Sequence, residues 1–426
     1  MSLLNRSFVR QSGTLLSGQV IAQGIALVAY LVLGRLFTPS DFGLYNTFYS
    51  YIEVLIILST CKYELSIVVA DSDTEAQHLA RLTLRLNTLI SLLLLTVALV
   101  LALTHTTLGN LPPSLVLLIP PMVFFCGTTR VYTFLCNRAQ QYRHIALSEV
   151  VSSASGVGTK ILFGLAALLG TLSNFLHTFG LPLGTVLGKV AGNIYFRLRV
   201  PYPRIDSSDS TPHRALLHKH RNFPLFVMPK EFVSSFSANL PFLWASAYFD
   251  NALIGLFSLA LTFTTRPVNI LAGTFEKVFY ATCSDRLHQH QTMGRDIRRF
   301  LLLLNAVAVP VAVLAYLFAE PVLIFLFGPQ WVGTGHYVRC ILPWVLVLLS
   351  ANSLTFVANI FSTQRYDFYF QLTQLLLRMA ALAVGTLRHD FPLAILLFCL
   401  ASALVQLGQL LWYLLQIRRY DSSELT

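Results

Sequence analysis

Long apolar runs separated by short polar breaks recur from one end of the chain to the other. They fall near 13–34, 44–70, 81–104, 113–135, 145–170, 172–196, 224–249, 252–281, 298–327, 339–361, 367–387 and 391–416. A hydrocarbon core about 30 Å thick needs roughly 20 residues of helix, and each run meets that length. The pattern predicts about twelve transmembrane helices, with a tight hairpin where the break at 170–172 is shortest. One break is long and polar: "RLRVPYPRIDSSDSTPHRALLHKHRNF", residues 197–223, midway along the chain. It reads as a cytoplasmic linker (197–223) between an N-terminal lobe of helices one to six (1–196) and a C-terminal lobe of helices seven to twelve (224–426). The fold class is therefore all-α integral membrane protein, two six-helix lobes around a central cavity.

Composition agrees with the pattern. The chain has 426 residues, 55% hydrophobic and 12% charged, with a mean hydropathy of +0.64, where soluble domains carry about a quarter charged residues. The net charge of +11 belongs with this topology. Breaks placed inside by a cytoplasmic N-terminus hold Arg6, Arg10, Arg81, Arg85, Arg138, Arg143, Arg286 and the basic linker, whereas external breaks hold Arg35, Arg339 and Arg388. Both termini are then cytoplasmic, in a multi-pass membrane protein. No basic stretch is interleaved with exposed aromatics, so nucleic acid is not an expected partner. The six cysteines are scattered without a CxxC or Cys/His spacing, which predicts neither disulfides nor a metal site; no cofactor is expected. The first run, with Gln19 and Gln23 and no small-residue cleavage site, reads as a span rather than a signal peptide.

Charge inside the spans carries the functional information. Lys62, Arg130, Lys160, Lys189, Lys230, Arg266, Lys277 and Arg378 fall at membrane depth, with Glu53, Glu64, Glu149, Glu231 and Glu276. Each charge near the bilayer centre costs about 2.5–3.5 kcal/mol, so this number implies a water-filled interior. Snorkelling to headgroups suits Lys230, Glu231 and Lys62 but not the whole set. Positions eleven apart on a helix differ by about 20° in direction. Glu53 and Glu64 thus share a face with Tyr49 and Thr60, and Glu149 and Lys160 share one with Ser153 and Gly156. Similar stripes run through Thr185, Lys189 and Asn193; through Arg266, Asn269, Gly273, Lys277 and Tyr280; through Gln371, Gln374, Arg378 and Gly385; and through Ser402, Gln406, Gln409 and Tyr413. Stripes without charge are as well explained by hydrogen bonds between packed helices. Those anchored by Arg or Lys predict a net-positive cavity suited to a phosphate or pyrophosphate, with Arg266, Arg378, Lys160, Lys189, Lys277 and Arg130 as its binding groups. Lys62 and Glu64, two apart and about 200° apart on a helix, are not expected to pair while their segment is helical.

A weak internal repeat supports two lobes. "SDFGLYNTF" and "NALIGLFSL" open the second and eighth runs, and "IPPMVFF" and "LPWVLVL" open the fourth and tenth. Such duplication places a transporter's site between the halves, near mid-membrane. Pro224, Pro229 and Pro241 in the seventh run mark a candidate hinge.

The ordered segments "RLFTPSDFGLYNTF", "KYELSIVVADSDTEA", "RNFPLFVMP", "NLPFLWASAYFD", "IGLFSLA" and "FGPQWVGTGHYVRCILPW" resemble Wzx-type polysaccharide flippases of the multidrug/oligosaccharidyl-lipid/polysaccharide exporter superfamily. The resemblance runs from about Ser12 to Leu415. It implies a carrier, not an enzyme, that moves isoprenoid-pyrophosphate-linked glycan for O-antigen, capsule or exopolysaccharide across the inner membrane. It implies a monomeric carrier among membrane lipids, working with other polysaccharide-assembly membrane proteins. It also suggests ion or proton coupling, for which Glu64, Glu53 and Glu149 are the candidate groups. "PKEFVSS" departs from the family by placing Lys230 and Glu231 where small or apolar residues are commoner. Two other readings stay open: a drug or organic-ion antiporter of the same superfamily, which would want a more acidic or aromatic cavity, and a membrane glycan polymerase or ligase. The latter generally needs a sizeable external loop with catalytic groups. The stretch Gly328–Val338 offers only His336.

Overall fold

A computed structural model of the chain describes residues 29–170, 173–201, 213–289, 291–361 and 363–424. The predicted run 13–34 lies outside the described residues except for its end, helical at 29–36 (α1). The other helices follow as α2 Pro39–Thr60, α3 Ser66–Val69, α4 Asp73–Leu103, α5 Pro113–Val116, α6 Ile119–Arg138, α7 Tyr142–Leu168, α8 Ser173–Arg199, α9 His213–Lys219, α10 Met228–Ala245, α11 Asn251–His288, α12 Gly294–Phe327, α13 Thr334–Asn352, α14 Phe356–Ile360, α15 Gln364–Leu387 and α16 Phe391–Glu424. No strand occurs among the described residues. The fold is all-α, and eight of these helices are long and apolar enough to cross a membrane.

Exposure separates lipid-facing helices from packed ones. On α12 only Ile297, Leu323 and Phe327 are buried, while Leu302, Leu303, Val307, Val311 and Leu314 are exposed. A helix that is apolar all round and exposed is stable only in lipid. On α4 the outer face is likewise Leu89, Leu92, Leu93, Val97 and Val100, and the inner face holds His78, Thr83 and Asn87.

The chain divides by packing into two compact units, Met1–Ala247 and Tyr248–Thr426. In the first, α7 pairs with α8, α4 with α6, and α2 with α10. The division falls one helix beyond the polar linker because α10 packs on α2. In the second, α15 pairs with α16, and α13 lies against α11, α12 and α16. The α7–α8 pair is close because small residues face each other: a Cβ on Gly188 would stand 2.6 Å from the Ser152 carbonyl oxygen and 2.8 Å from the Gly156 Cα. Such small-residue seams let backbones approach within the bilayer.

Local sequence explains where several helices begin. Thr38 caps α2, with Pro39 in its first turn, and Asp41 Oδ2 accepts from the Thr38 backbone N–H at 2.8 Å; the His177 ring reaches the same carboxylate at 2.9 Å. Ser72 caps α4 through the Glu75 N–H. Two caps come from distant segments. Asp421 accepts from Met293 and Gly294 N–H, both at 2.9 Å, at the start of α12. Glu320 accepts from Gly333 and Gly335 N–H at 2.6 and 2.5 Å, at the start of α13.

Three expectations need correction. The run 44–70 is not one helix, since α2 ends at Thr60 and Cys61 and Lys62 take left-handed backbone angles, with φ of 48° and 60°. The polar break contains α9, pinned where Leu216 enters an apolar cluster with Ile67, Leu79 and Val131 and Lys219 bonds Asp71 and Glu75 at 2.8 and 2.6 Å. Those carboxylates raise the pKa of Lys219 above its ordinary value. Of the three prolines in the seventh run, Pro224 lies in a wide π turn at Phe223–Val227, Pro229 in the first turn of α10, and only Pro241 inside it.

Candidate functional site

The first unit gathers a chain of charges from five helices and the break after α2. Because α2 stops at Thr60, a 3-10 turn, Tyr63–Leu65, turns Glu64 inward, where its side chain is 1% exposed. Glu64 Oε1 lies 3.9 Å from Arg130 Nη1 on α6 and 4.0 Å from Lys62 Nζ. Lys62 continues to Glu231 on α10, at 3.7 Å. The expectation that Lys62 and Glu64 stand apart fails because the helix that would separate them is absent at that point. Lys62 is a member of the ion chain rather than a headgroup anchor. Arg138 stabilises the same break, donating from Nη1 to the carbonyls of Ile67, Val68 and Ala70 at 3.2, 3.2 and 2.8 Å.

Farther along, Lys189 on α8 and Glu149 on α7 stand on two helices that pack against α6, which carries Arg130. Glu53 accepts from Asn239 Nδ2 on α10 at 3.1 Å. Asn193 is held by α6 and its own helix, donating to Phe125 O, Thr129 Oγ1 and Lys189 O. Lys160 lies apart from this chain. Its Nζ is 3.3 Å from the Tyr45 hydroxyl and 4.7 Å from the centre of that ring, with Thr185 3.1 Å from the same hydroxyl. Tyr45, Tyr49 and Glu53 fall four apart on α2, a spacing that marks one face. Tyr45 and Asn239 went unrecognised in the sequence although the first lies on that visible stripe.

Lys62, Arg130 and Lys189 in the chain stand with Glu53, Glu64, Glu149 and Glu231, and Lys160 beside the chain brings the formal charges of these eight groups to balance. Glu64 Oε2 is buried without a hydrogen bond, as is Arg130 Nη1. At 3.9 Å their contact is an ion pair longer than a hydrogen bond.

The second unit places its predicted cations differently. Arg378 is 5% exposed, donates from Nε to Ser402 Oγ at 2.8 Å, and lies over the rings of Phe398 and Trp344 at 4.6 and 5.4 Å. Trp344 Nε1 donates in turn to Gln406 Oε1 at 3.0 Å. The Arg378 and Ser402 stripes therefore meet in the α13–α15–α16 packing. Arg266 is exposed on α11, preceding Pro267 within that helix. Farther along α11, Asn352 donates to Asn269 Oδ1 at 3.4 Å, and Thr355 donates to Glu276 at 2.6 Å. The Lys277 side chain lies outside the described residues. Gln409 and Tyr413 both bond Asp367, at 3.2 and 2.8 Å.

Comparison with known proteins follows this geometry. The chain is similar over 96% of its length to the lipid II flippase MurJ in an inward closed conformation, at 12% identity, with 90% of that chain covered and a TM-score of 0.72. It is similar to an inward-facing multidrug resistance MATE family transporter of the MOP superfamily at 12% identity, covering 92% and 95% of the two chains, with a TM-score of 0.63. A MATE chain in the bent conformation gives 12% identity, 98% and 97% coverage, and a TM-score of 0.61. These identities establish a shared fold. No curated protein matches the chain. Residues 32–335 match the model of a family described as polysaccharide biosynthesis protein, which spans most of the chain, including every member of the charge chain. The chain belongs to that polysaccharide biosynthesis family.

Proposed function

We propose that the chain is a flippase of the bacterial inner membrane, both termini cytoplasmic, which moves isoprenoid-pyrophosphate-linked oligosaccharide from the cytoplasmic to the outer leaflet by alternating access. The family match over residues 32–335 carries this reading. The chemistry of the first unit supports it. Arg130, Lys189 and Lys160 offer cations to the pyrophosphate, while Glu64, Glu53 and Glu149 neutralise them when substrate is absent and couple the cycle to protons or another cation. Arg378, held under aromatic rings, organises the α13–α15–α16 packing instead.

Deleting the gene and locating the lipid-linked glycan tests the reading. Accumulation on the cytoplasmic leaflet is expected. A normal leaflet distribution with short, unpolymerised product would point to a polymerase or ligase and overturn it. The MATE likeness and the balanced charges also favour a second reading, an organic-ion antiporter. That reading requires the deletion strain to become sensitive to cationic drugs with its glycan unaffected.

A further inference from the structure

Away from the charge chain, a cleft of about 290 Å³ opens between α4, α6 and α8. Its walls are Leu84, Phe124, Phe125, Tyr132, Val190 and Ile194. Thr88 and Thr128 also line it, but their hydroxyls donate to the carbonyls of Leu84 and Phe124 on their own helices. The aromatic wall is fixed from both sides. Asn87 on α4 donates to Phe124 O at 2.9 Å, and Asn193 on α8 donates to Phe125 O at 3.0 Å. None of the charged groups of the ion chain lines this space.

The polar groups of the cleft lie toward one end. Arg197, in the last turn of α8, is exposed at the lining and has no hydrogen bond or ion pair among the described residues. Asn193, one turn deeper, is 8% exposed, and with its amide nitrogen committed to α6 its Oδ1 is buried without a partner. An unpaired cation at the mouth and an apolar wall beyond it define an amphiphile: a phosphate for Arg197 and one hydrocarbon chain. The volume is at the lower edge of small-molecule sites, roughly 300–1,000 Å³, enough for part of a chain and too small for an oligosaccharide. Exposed Ile194 and Leu198 continue the apolar surface beside it.

We propose that this cleft binds an anionic phospholipid, its phosphate on Arg197 and one acyl chain along Phe124, Phe125 and Val190. Basic pockets between spans favour such headgroups. The site is separate from the proposed substrate path and does not depend on the flippase reading.

The test uses the full chain purified into nanodiscs of phosphatidylcholine, titrated with phosphatidylglycerol and read by native mass spectrometry of retained lipid. Wild type should retain phosphatidylglycerol in preference to phosphatidylcholine. Arg197→Gln should weaken that retention by about fivefold, the scale of one basic residue at a lipid surface. Val190→Trp, which fills the cleft without touching charge, should weaken it at any salt concentration. Equal retention of both lipids by wild type overturns the proposal, as does unchanged retention in both variants while each stays monodisperse. Preference for a prenyl phosphate over phosphatidylglycerol would also overturn it, by assigning the cleft to the carrier lipid.

Discussion

Glu64 and Glu231 both contact Lys62, yet burial makes them unequal. Glu64 is 1% exposed between Lys62 and Arg130, whereas Glu231 is 49% exposed. An exposed pair contributes about 0–1 kcal/mol, while removing one member of a buried pair costs about 3–5 kcal/mol. Glu64→Gln should therefore lower the thermal midpoint of the purified protein substantially, and Glu231→Gln should barely move it. A double-mutant cycle on Arg130 and Glu64 should give the larger coupling energy. Equal effects at the two glutamates would mean that burial does not set their weight. Arg378 allows a second comparison. Its planar guanidinium lies over Phe398 and Trp344, a geometry an ammonium does not reproduce. Arg378→Lys should destabilise the protein by about 1–3 kcal/mol, and Arg378→Met by less, because an apolar side chain removes the buried charge along with its partner. A thermal-shift ranking with lysine better tolerated than methionine would contradict the packing role.

At the scale of elements, hydrophobic period located nearly every helix, because a membrane leaves a span few alternatives to apolar helix. What it missed are the breaks. The end of α2 at Thr60 depends on two left-handed residues, neither of them glycine, and nothing in the apolar run announces them. The helix α9 is too short for periodicity to register, and its position rests on tertiary contacts of Leu216 and Lys219. The candidate site was legible as a set of residue types and not as a set of partners. The Glu53 and Glu149 stripes pointed to charged faces, but the Arg378 stripe looked the same in sequence and is satisfied by packing. The α7–α8 seam gives an element-scale prediction. Gly188→Ala places a Cβ 2.6 Å from a carbonyl oxygen, whereas nothing lies within 4 Å of a Cβ at Gly158. Overpacking of this kind costs about 1–3 kcal/mol. Gly158→Ala should instead be neutral or stabilising, since alanine favours the helix by about 1 kcal/mol. Unfolding in detergent should separate the two variants, and similar midpoints would show that the seam tolerates separation.

For the whole molecule, the balanced charges set a condition on any anionic cargo. With Lys160 counted beside the chain's Lys62, Arg130 and Lys189, the four cations equal the four glutamates in number, so these eight groups are formally neutral when empty. A neutral set suits a carrier that returns empty, because uncompensated charge in a low-dielectric interior costs several kcal/mol. Pyrophosphate brings two anionic phosphoryl groups into the same set and competes with the carboxylates for Arg130 and Lys189. Charge balance is then restored if carboxylates take up protons as the substrate binds. By linkage, binding that takes up protons strengthens as pH falls. The affinity of the purified protein for an isoprenyl pyrophosphate sugar should therefore rise between pH 8 and pH 6, a range in which such a pyrophosphate diester does not itself change charge. Glu149→Gln removes a carboxylate that must otherwise be neutralised, so it should raise the affinity at pH 8 and flatten its pH dependence. Variant and wild type can be compared by titration calorimetry in buffers of different ionisation enthalpy, which counts protons directly. Proton uptake close to zero in wild type would place the compensating charge on a co-bound cation, and the carboxylates would then act as its ligands instead of as proton carriers.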